Sequence, residues 1–124
     1  KDDRFNFLPA DYNDLDSFPV GQDLVILSNI LHIDGDEKAQ GLLEKGFRCL
    51  NSGGHLVAMS FFLDDDSCAP VFSTMFSLSC RLLSGKGGCQ TISTVIRWLE
   101  NVGFVEMKTY HLTSLIKAII ARKL

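Results

Sequence analysis

The chain has 124 residues, enough to bury the core of one domain and too few for two. Hydrophobic residues make up 46% and charged residues 22%, an ordinary globular balance that excludes a disordered chain. A net charge of −3 leaves no basic footprint for nucleic acid, and no apolar run approaches the roughly 18–20 residues that span a bilayer. No signal-like segment follows Lys1, so a cytoplasmic setting is expected, and a start at lysine reads as a piece of a longer protein. Cys49, Cys68, Cys80 and Cys89 show neither zinc-like spacing nor a CxxC pair, which predicts reduced thiols.

Arg4-Phe-Asn-Phe-Leu8 alternates apolar and polar side chains before Pro9, which predicts a short strand. Residues 10–21 read as a polar loop punctuated by Asn13, Asp14, Pro19 and Gly21. Asp23 to Leu27, extending as far as Leu31, has the continuous apolar pattern of a parallel strand covered on both faces. Asp34-Gly-Asp-Glu-Lys38 offers an N-cap and acids for the positive end of a helix. Leu42, Leu43, Phe47 and Leu50 form that helix's apolar stripe, and Asn51-Ser-Gly-Gly54 is expected to stop it through a left-handed glycine. His55 to Leu63 predicts a second buried strand, so strand, helix and strand make a right-handed parallel crossover.

Asp64-Asp-Asp66 reads as a solvated loop, and the apolar run from Val71 to Leu83 as a well-buried helix. Ser84-Gly-Lys-Gly-Gly88 reads as a mobile surface loop, because it follows a helix and lacks phosphate-loop spacing. Thr91 caps a helix with Ile92, Val95, Ile96, Leu99 and Val102 on one face and Trp98 half-buried beside them; Gly103 ends it. Phe104 to Tyr110 and Leu115 to Ala121 predict an antiparallel pair joined by a short link. The expected fold class is α/β in a single domain over residues 1–124. It amounts to half of a doubly wound sheet, mostly parallel, with an antiparallel C-terminal hairpin and flanking helices.

The chemistry concentrates between Asp23 and Glu37, where an apolar strand ends in His32 and an acidic turn opens the next helix. An α/β enzyme places a general base in this way, at the carboxyl end of a parallel strand. The plainer alternative is a histidine that ends a strand with its ring nitrogens bonded locally. His32, Asp34, Asp36 and Glu37 could gather a hard cation, but helix starts collect acids for dipole reasons alone, so no metal is expected. His55 and His111 have no partner spacing, and Lys117, Arg122 and Lys123 are too few for a nucleic-acid surface.

Ala10-Asp11-Tyr12, Asp23-Leu24, Leu31-His32, Asp36-Glu37, Gly53-Gly54, Gly85 to Thr91 and Gly103-Phe104 follow one another in order. Together they resemble the carboxyl-terminal part of the catalytic domain of class I S-adenosylmethionine-dependent O-methyltransferases, which has a Rossmann-like sheet. The resemblance implies methyl transfer to a hydroxyl of a small-molecule acceptor, with His32 as the general base. Asp11 and Tyr12 look like the pair that flanks the family's adenine ring, the alternative being an ordinary acidic turn. By the same resemblance Ser28 lies at the cofactor and Asn29 at the substrate. Met75 lies on the helix that walls the acceptor site, where a methionine also serves as simple core.

The departures are equally specific. Ile33 and Asp34 stand where the family often has aspartate and tryptophan. Ser60 and Cys89 stand where its plant members carry acidic supports, and Gln90 stands at an arginine, which leaves nothing obvious to orient His32. The family's glycine-rich cofactor loop has no counterpart in these 124 residues. S-adenosylmethionine is therefore the implied cofactor of the intact protein, with weak binding by this chain. Two central strands are missing with that loop, so the strand at Asp23 has an open apolar edge, and a homodimer or strand-swapped oligomer is expected. Two alternatives stay open. One is a non-catalytic methyltransferase-like interaction module; the other is a different α/β enzyme, such as a nucleotide-dependent oxidoreductase, whose sheet would be all parallel.

Overall fold

The computed structural model describes residues 2–14 and 18–124; the loop expected at 15–17 lies outside the described residues. In chain order the elements are β1 (Gln22–Ser28), α1 (Asp36–Cys49), β2 (Leu50–Ser60), α2 (Val71–Ser84), α3 (Ile92–Val102), β3 (Val105–His111) and β4 (Lys117–Arg122). The four strands form one sheet in the order β1-β2-β4-β3. β1 and β2 are parallel and joined through α1, whereas β4 runs antiparallel to both β2 and β3. The expected terminal hairpin is present, and its second strand is inserted between β2 and β3. This antiparallel last strand separates the fold from an all-parallel oxidoreductase sheet.

Register places Val25 beside Leu56 and Leu56 beside Ala121, with Leu27, Ala58 and Ile119 forming the next row on the same face. These rows meet Leu42 and Leu43 of α1 and Val95 and Leu99 of α3 in one core. α1 lies so close to the sheet that a Cβ on Gly46 would come within 2.4 Å of Leu56 Cδ1. Side chains as enclosed as Leu56 and Leu99 typically cost about 2–5 kcal/mol when cut to alanine.

The opposite face accounts for the first correction. Leu24 and Ile26 of β1 are exposed, not covered as the apolar run suggested. A parallel strand is buried twice only when helices lie on both faces, and α1 and α3 pack together on one. The segment Arg4–Leu8 forms no strand either, and Phe7 is 87% exposed. Alternation alone cannot make a strand; no neighbouring ladder among the described residues bonds its backbone.

Both ends of α1 depart from expectation. Gly35, not Asp34, occupies the N-cap and supplies no side-chain bond, while Asp34 accepts a hydrogen bond from the Tyr12 hydroxyl. At the other end Leu50 turns directly into β2 without a left-handed glycine. Lys123 Nζ does the capping, donating to the carbonyls of Phe47 and Leu50 at 2.7 Å each. A cation at the negative end of the helix and 4.5 Å above the Phe47 ring is favourable on both counts.

α3 matches its sequence signals: Thr91 Oγ1 accepts from Thr94 N–H, and left-handed Gly103 ends the helix. Trp98 is buried, not half-buried. α2 is the opposite case. Val71, Phe72, Met75, Leu78, Leu82 and Leu83 are all exposed, so this apolar helix is not the buried one expected. Its contacts reach loop residues: Phe76 meets His32, Phe72 meets Phe61, and Ser77 Oγ accepts from Cys89 N–H.

Candidate functional site

The carboxyl ends of the two parallel strands converge on His32. β1 ends at Ser28, and Asn29 leaves it with φ +52, a left-handed conformation that asparagine tolerates better than most residues. Its N–H still donates to Met59 O at 2.8 Å, so the turn stays fastened to β2. Three residues on, His32 is 7% exposed, and its Nδ1 lies 3.1 Å from Oγ of Ser60, the last residue of β2. Burial pushes the imidazole pKa below its ordinary value of 6.5.

Aromatic rings form the wall on the α2 side. Phe76 meets the His32 ring edge-on at 5.0 Å, and Phe61 stands 6.4 Å away. Phe61 in turn packs on Phe76 at 4.9 Å and on Phe72 at 5.4 Å. Nε2 of His32 makes no hydrogen bond among the described residues. The arrangement is a neutral imidazole with one nitrogen anchored, in an apolar, ring-lined setting at a strand end.

Ser60 corrects the sequence reading. It was expected to leave His32 without support, yet its hydroxyl is the group that orients the ring. Cys89, at the other lost acid, is uncharged: burial first, then the neighbouring Cys80, push its thiol up to about 11. The glycine-rich stretch is corrected too. Gly88 N–H donates to the His32 carbonyl at 2.9 Å, so this segment packs against the site. A Cβ on Gly87 would meet the carbonyl oxygens of His32 and Ile33 at 2.7 Å.

Of the other residues singled out, Ser28 and Asn29 are exposed at the end of β1. Asp11 is exposed with its carboxylate accepting from Asn13 N–H at 2.8 Å and Asn13 Nδ2 at 3.1 Å. Tyr12 is half-buried against the core, with its hydroxyl on Asp34 and its carbonyl accepting from Lys45. The 11–14 turn is thereby tied to the loop that follows His32. Met75 is 58% exposed on α2, while the flanking Phe72 and Phe76 make the ring contacts. Asp64, expected in a solvated loop, pairs at 2.6 Å with the buried ammonium of Lys117, which stands beside Ser60 in the β2–β4 ladder.

Sequence reasoning missed Phe61, Phe72, Phe76, Gly87 and Gly88. The i, i+4 phenylalanines of α2 and the paired glycines were the available signals, the latter for close backbone approach. No group of three or more His, Cys, Asp or Glu placed to hold a metal ion occurs among the described residues. No helix among them is long and apolar enough to cross a membrane.

No protein-family model matches the chain. The tetracenomycin polyketide synthesis 8-O-methyltransferase TcmO of Streptomyces glaucescens is 30% identical over 87 residues, covering 70% of this chain and 26% of its own length. Acetylserotonin O-methyltransferase of Bos taurus is 28% identical over 123 residues, covering 99% of this chain and 35% of its own. The crystal structure of human N-acetylserotonin methyltransferase in complex with S-adenosylmethionine superposes with a TM-score of 0.80 at 28% identity, over 92% of this chain and 32% of that one. The chain thus spans about a quarter to a third of the length of these relatives.

The sheet order, its antiparallel last strand and the histidine at the end of β1 define the class as a Rossmann-like methyltransferase fold. With the sequence relatives added, the assignment narrows. The relatives of this chain are O-methyltransferases, and the solved structure it superposes on holds S-adenosylmethionine.

Proposed function

We propose that the protein transfers a methyl group from S-adenosylmethionine to a hydroxyl of a small molecule, with His32 as the general base. The observation that carries this reading is the anchored, buried His32, held by Ser60 at 3.1 Å among Phe61, Phe72 and Phe76. For Nε2 to take a proton, Nδ1–H must donate to Ser60 Oγ, and that bond then selects the useful tautomer. A pKa held below 6.5 keeps the ring neutral at pH 7 with its lone pair available. The rings exclude water and offer flat apolar surface to an acceptor, aligning its oxygen; alignment and proton removal together supply most of the acceleration. In this scheme Asn29 and Met75 flank the acceptor.

The donor set fits the cofactor's polar groups: Ser28 is exposed at a parallel strand's carboxyl end, and the Asp11 carboxylate is exposed as well. Asp11, Tyr12 and Ser28 would hold it. When bound, S-adenosylmethionine supplies the electrophilic methyl. Tyr12 would contribute its ring only, because its hydroxyl is engaged by Asp34. The test is transfer of labelled methyl from S-adenosylmethionine to a panel of small phenols and alcohols. His32→Gln should lower kcat by about 10²–10⁴ while leaving the KM for S-adenosylmethionine unchanged. A His32→Gln protein with full activity would overturn the role.

A second reading, a non-catalytic interaction module, draws on the uncharged Ser60 beside His32 and the uncharged Cys89 at the other expected acid. It predicts no transfer to any acceptor. In either case the open edge of β1, with Leu24 and Ile26 exposed, and the apolar outer face of α2 favour a homodimer or strand-swapped oligomer. A monomer by light scattering would count against that assembly.

A further inference from the structure

The segment 86–90 holds the His32 turn from outside, and its last residue does so in an unusual way. Gln90 is 5% exposed. Its Nε2 donates to Leu31 O at 2.9 Å and reaches Asp36 Oδ1 at 3.3 Å. Both partners are pure acceptors, which fixes which end of the amide is which. One NH₂ group therefore grips the turn on both sides of His32. The backbone carbonyl of Gln90 accepts from Leu63 N–H at 2.9 Å, so the gripping residue is pinned to the chain just beyond β2.

The rest of the segment reinforces the hold. Gly88 N–H donates to His32 O, Gly87 N–H to Ser84 Oγ at 2.7 Å and Cys89 N–H to Ser77 Oγ at 2.9 Å. The oxygen of the Gln90 amide, by contrast, is buried without a partner among the described residues. A position that served packing alone would be better filled by an apolar side chain, because a buried acceptor left unpaired is destabilising. The amide earns its place through its two donated bonds.

We propose that Gln90 is a positioning residue for His32, setting where the imidazole stands by clamping Leu31 and Asp36 across the turn that carries it. Ser60 fixes the ring's rotation; Gln90 fixes the backbone from which the ring hangs. The functional weight of the proposal rests on the reading of His32 as the base, but its geometry is measurable without it.

The experiment compares Gln90→Arg, Gln90→Glu and Gln90→Met in the purified protein. Arginine keeps N–H donors for both partners, glutamate removes them and sets a second carboxylate against Asp36, and methionine keeps length without polarity. The readouts are the NMR titration of the His32 imidazole, hydrogen exchange of the Gly88 amide, and kcat with both KM values. Methionine and glutamate should move the His32 midpoint up toward 6.5, as loosening admits water, and speed Gly88 exchange about tenfold or more. They should also lower kcat by roughly ten- to a hundredfold with the KM for S-adenosylmethionine within about twofold. Arginine should restore all of these.

Unchanged His32 resonances and Gly88 exchange in the methionine and glutamate variants would overturn the proposal, whatever kcat does. So would an arginine variant no better than methionine. Should methionine fail to fold, the arginine and glutamate pair decides alone. If the resonances move while kcat does not, the clamp stands and the assignment of His32 as base falls.

Discussion

Gly87→Ala puts the tightest contact of the site under direct test. A methyl group on residue 87 would stand 2.7 Å from the carbonyl oxygens of both His32 and Ile33, and 2.8 Å from Ser84 Oγ. Ordinary carbon–oxygen contacts begin near 3.3 Å, so the segment must withdraw by about 0.6 Å against two backbone atoms that no rotamer change can move. That retreat stretches the Gly88 N–H bond to His32 O, now 2.9 Å. Overpacking costs typically about 1–3 kcal/mol, and a weakened backbone bond contributes toward the upper end. At this chain length the melting temperature should fall by roughly 4–12 °C. Gly41→Ala is the control: nothing lies within 4 Å of its added Cβ inside α1, so it should be neutral or gain up to about 1 kcal/mol. Thermal and urea unfolding of both variants give the comparison. A Gly87→Ala protein as stable as its parent, with Gly88 equally protected from exchange, would refute the close approach.

Three further outcomes follow from the same contacts. Lys117 is buried while its partner Asp64 is half exposed, so the pair should respond asymmetrically. Asp64→Ala strands a buried ammonium and should cost about 1–3 kcal/mol, more than Lys117→Met, which lets the carboxylate return to water; equal losses in urea would contradict this. Because burial lowers the His32 pKa, the unfolded chain binds the extra proton below about pH 6.5, so stability should be full above that pH and fall as pH drops through it. Urea midpoints between about pH 5 and 7 should show this slope, and His32→Gln should flatten it. Thr91→Ala removes the hydroxyl that accepts Thr94 N–H at the start of α3 and should cost about 1 kcal/mol by urea unfolding.

What could be read from the sequence divides along physical lines. α3 and the terminal hairpin were legible because their signals are local: a threonine cap, an apolar stripe of period 3.6, a glycine stop and two β-rich runs with a short link. The failures all concern what lies on the far side of an element. The run Leu24 to Leu27 shows that both faces of β1 are apolar, but not that only one is covered. α2 carries enough apolar residues for a buried helix and leaves most of them outside, since composition records a capacity for burial and not the presence of a partner. The end of α1 was misread because its cap arrives from 73 residues away, as Lys123 reaching Leu50 O.

The site follows the same division. His32 was legible from its place between an apolar strand and an acidic turn. Its support was not, because Ser60 is brought to Nδ1 by the parallel register of β1 and β2, across 28 residues of sequence. Comparison with acidic supports made the serine look like a loss. The register makes it a partner, because the last residue of β2 must point at the turn leaving β1. Gly87 and Gly88 were hidden because flexibility was inferred from glycine, where close packing was the cause. Gln90 was marked only as a departure at an arginine, and its partners lie 54 and 59 residues away.

The substitution of a hydroxyl for a carboxylate has a chemical consequence on the proposed mechanism. A carboxylate at Nδ1 would both orient the imidazole and stabilise the imidazolium that forms as the proton arrives. Ser60 orients without supplying charge, and enclosure by Phe61 and Phe76 further disfavours the charged ring. Both effects make His32 a base that stays neutral and takes its proton weakly. Such a base is best matched to an acceptor whose hydroxyl is itself acidic. A phenol-like group titrating near 10 gives up its proton to such a ring far more readily than an alcohol nearer water's 15.7. The same rings that weaken the base also present the flat apolar surface on which an aromatic acceptor would lie. On the proposed mechanism, electrostatics and shape at His32 would therefore work in the same direction, favouring aromatic hydroxyls over sugars and aliphatic alcohols.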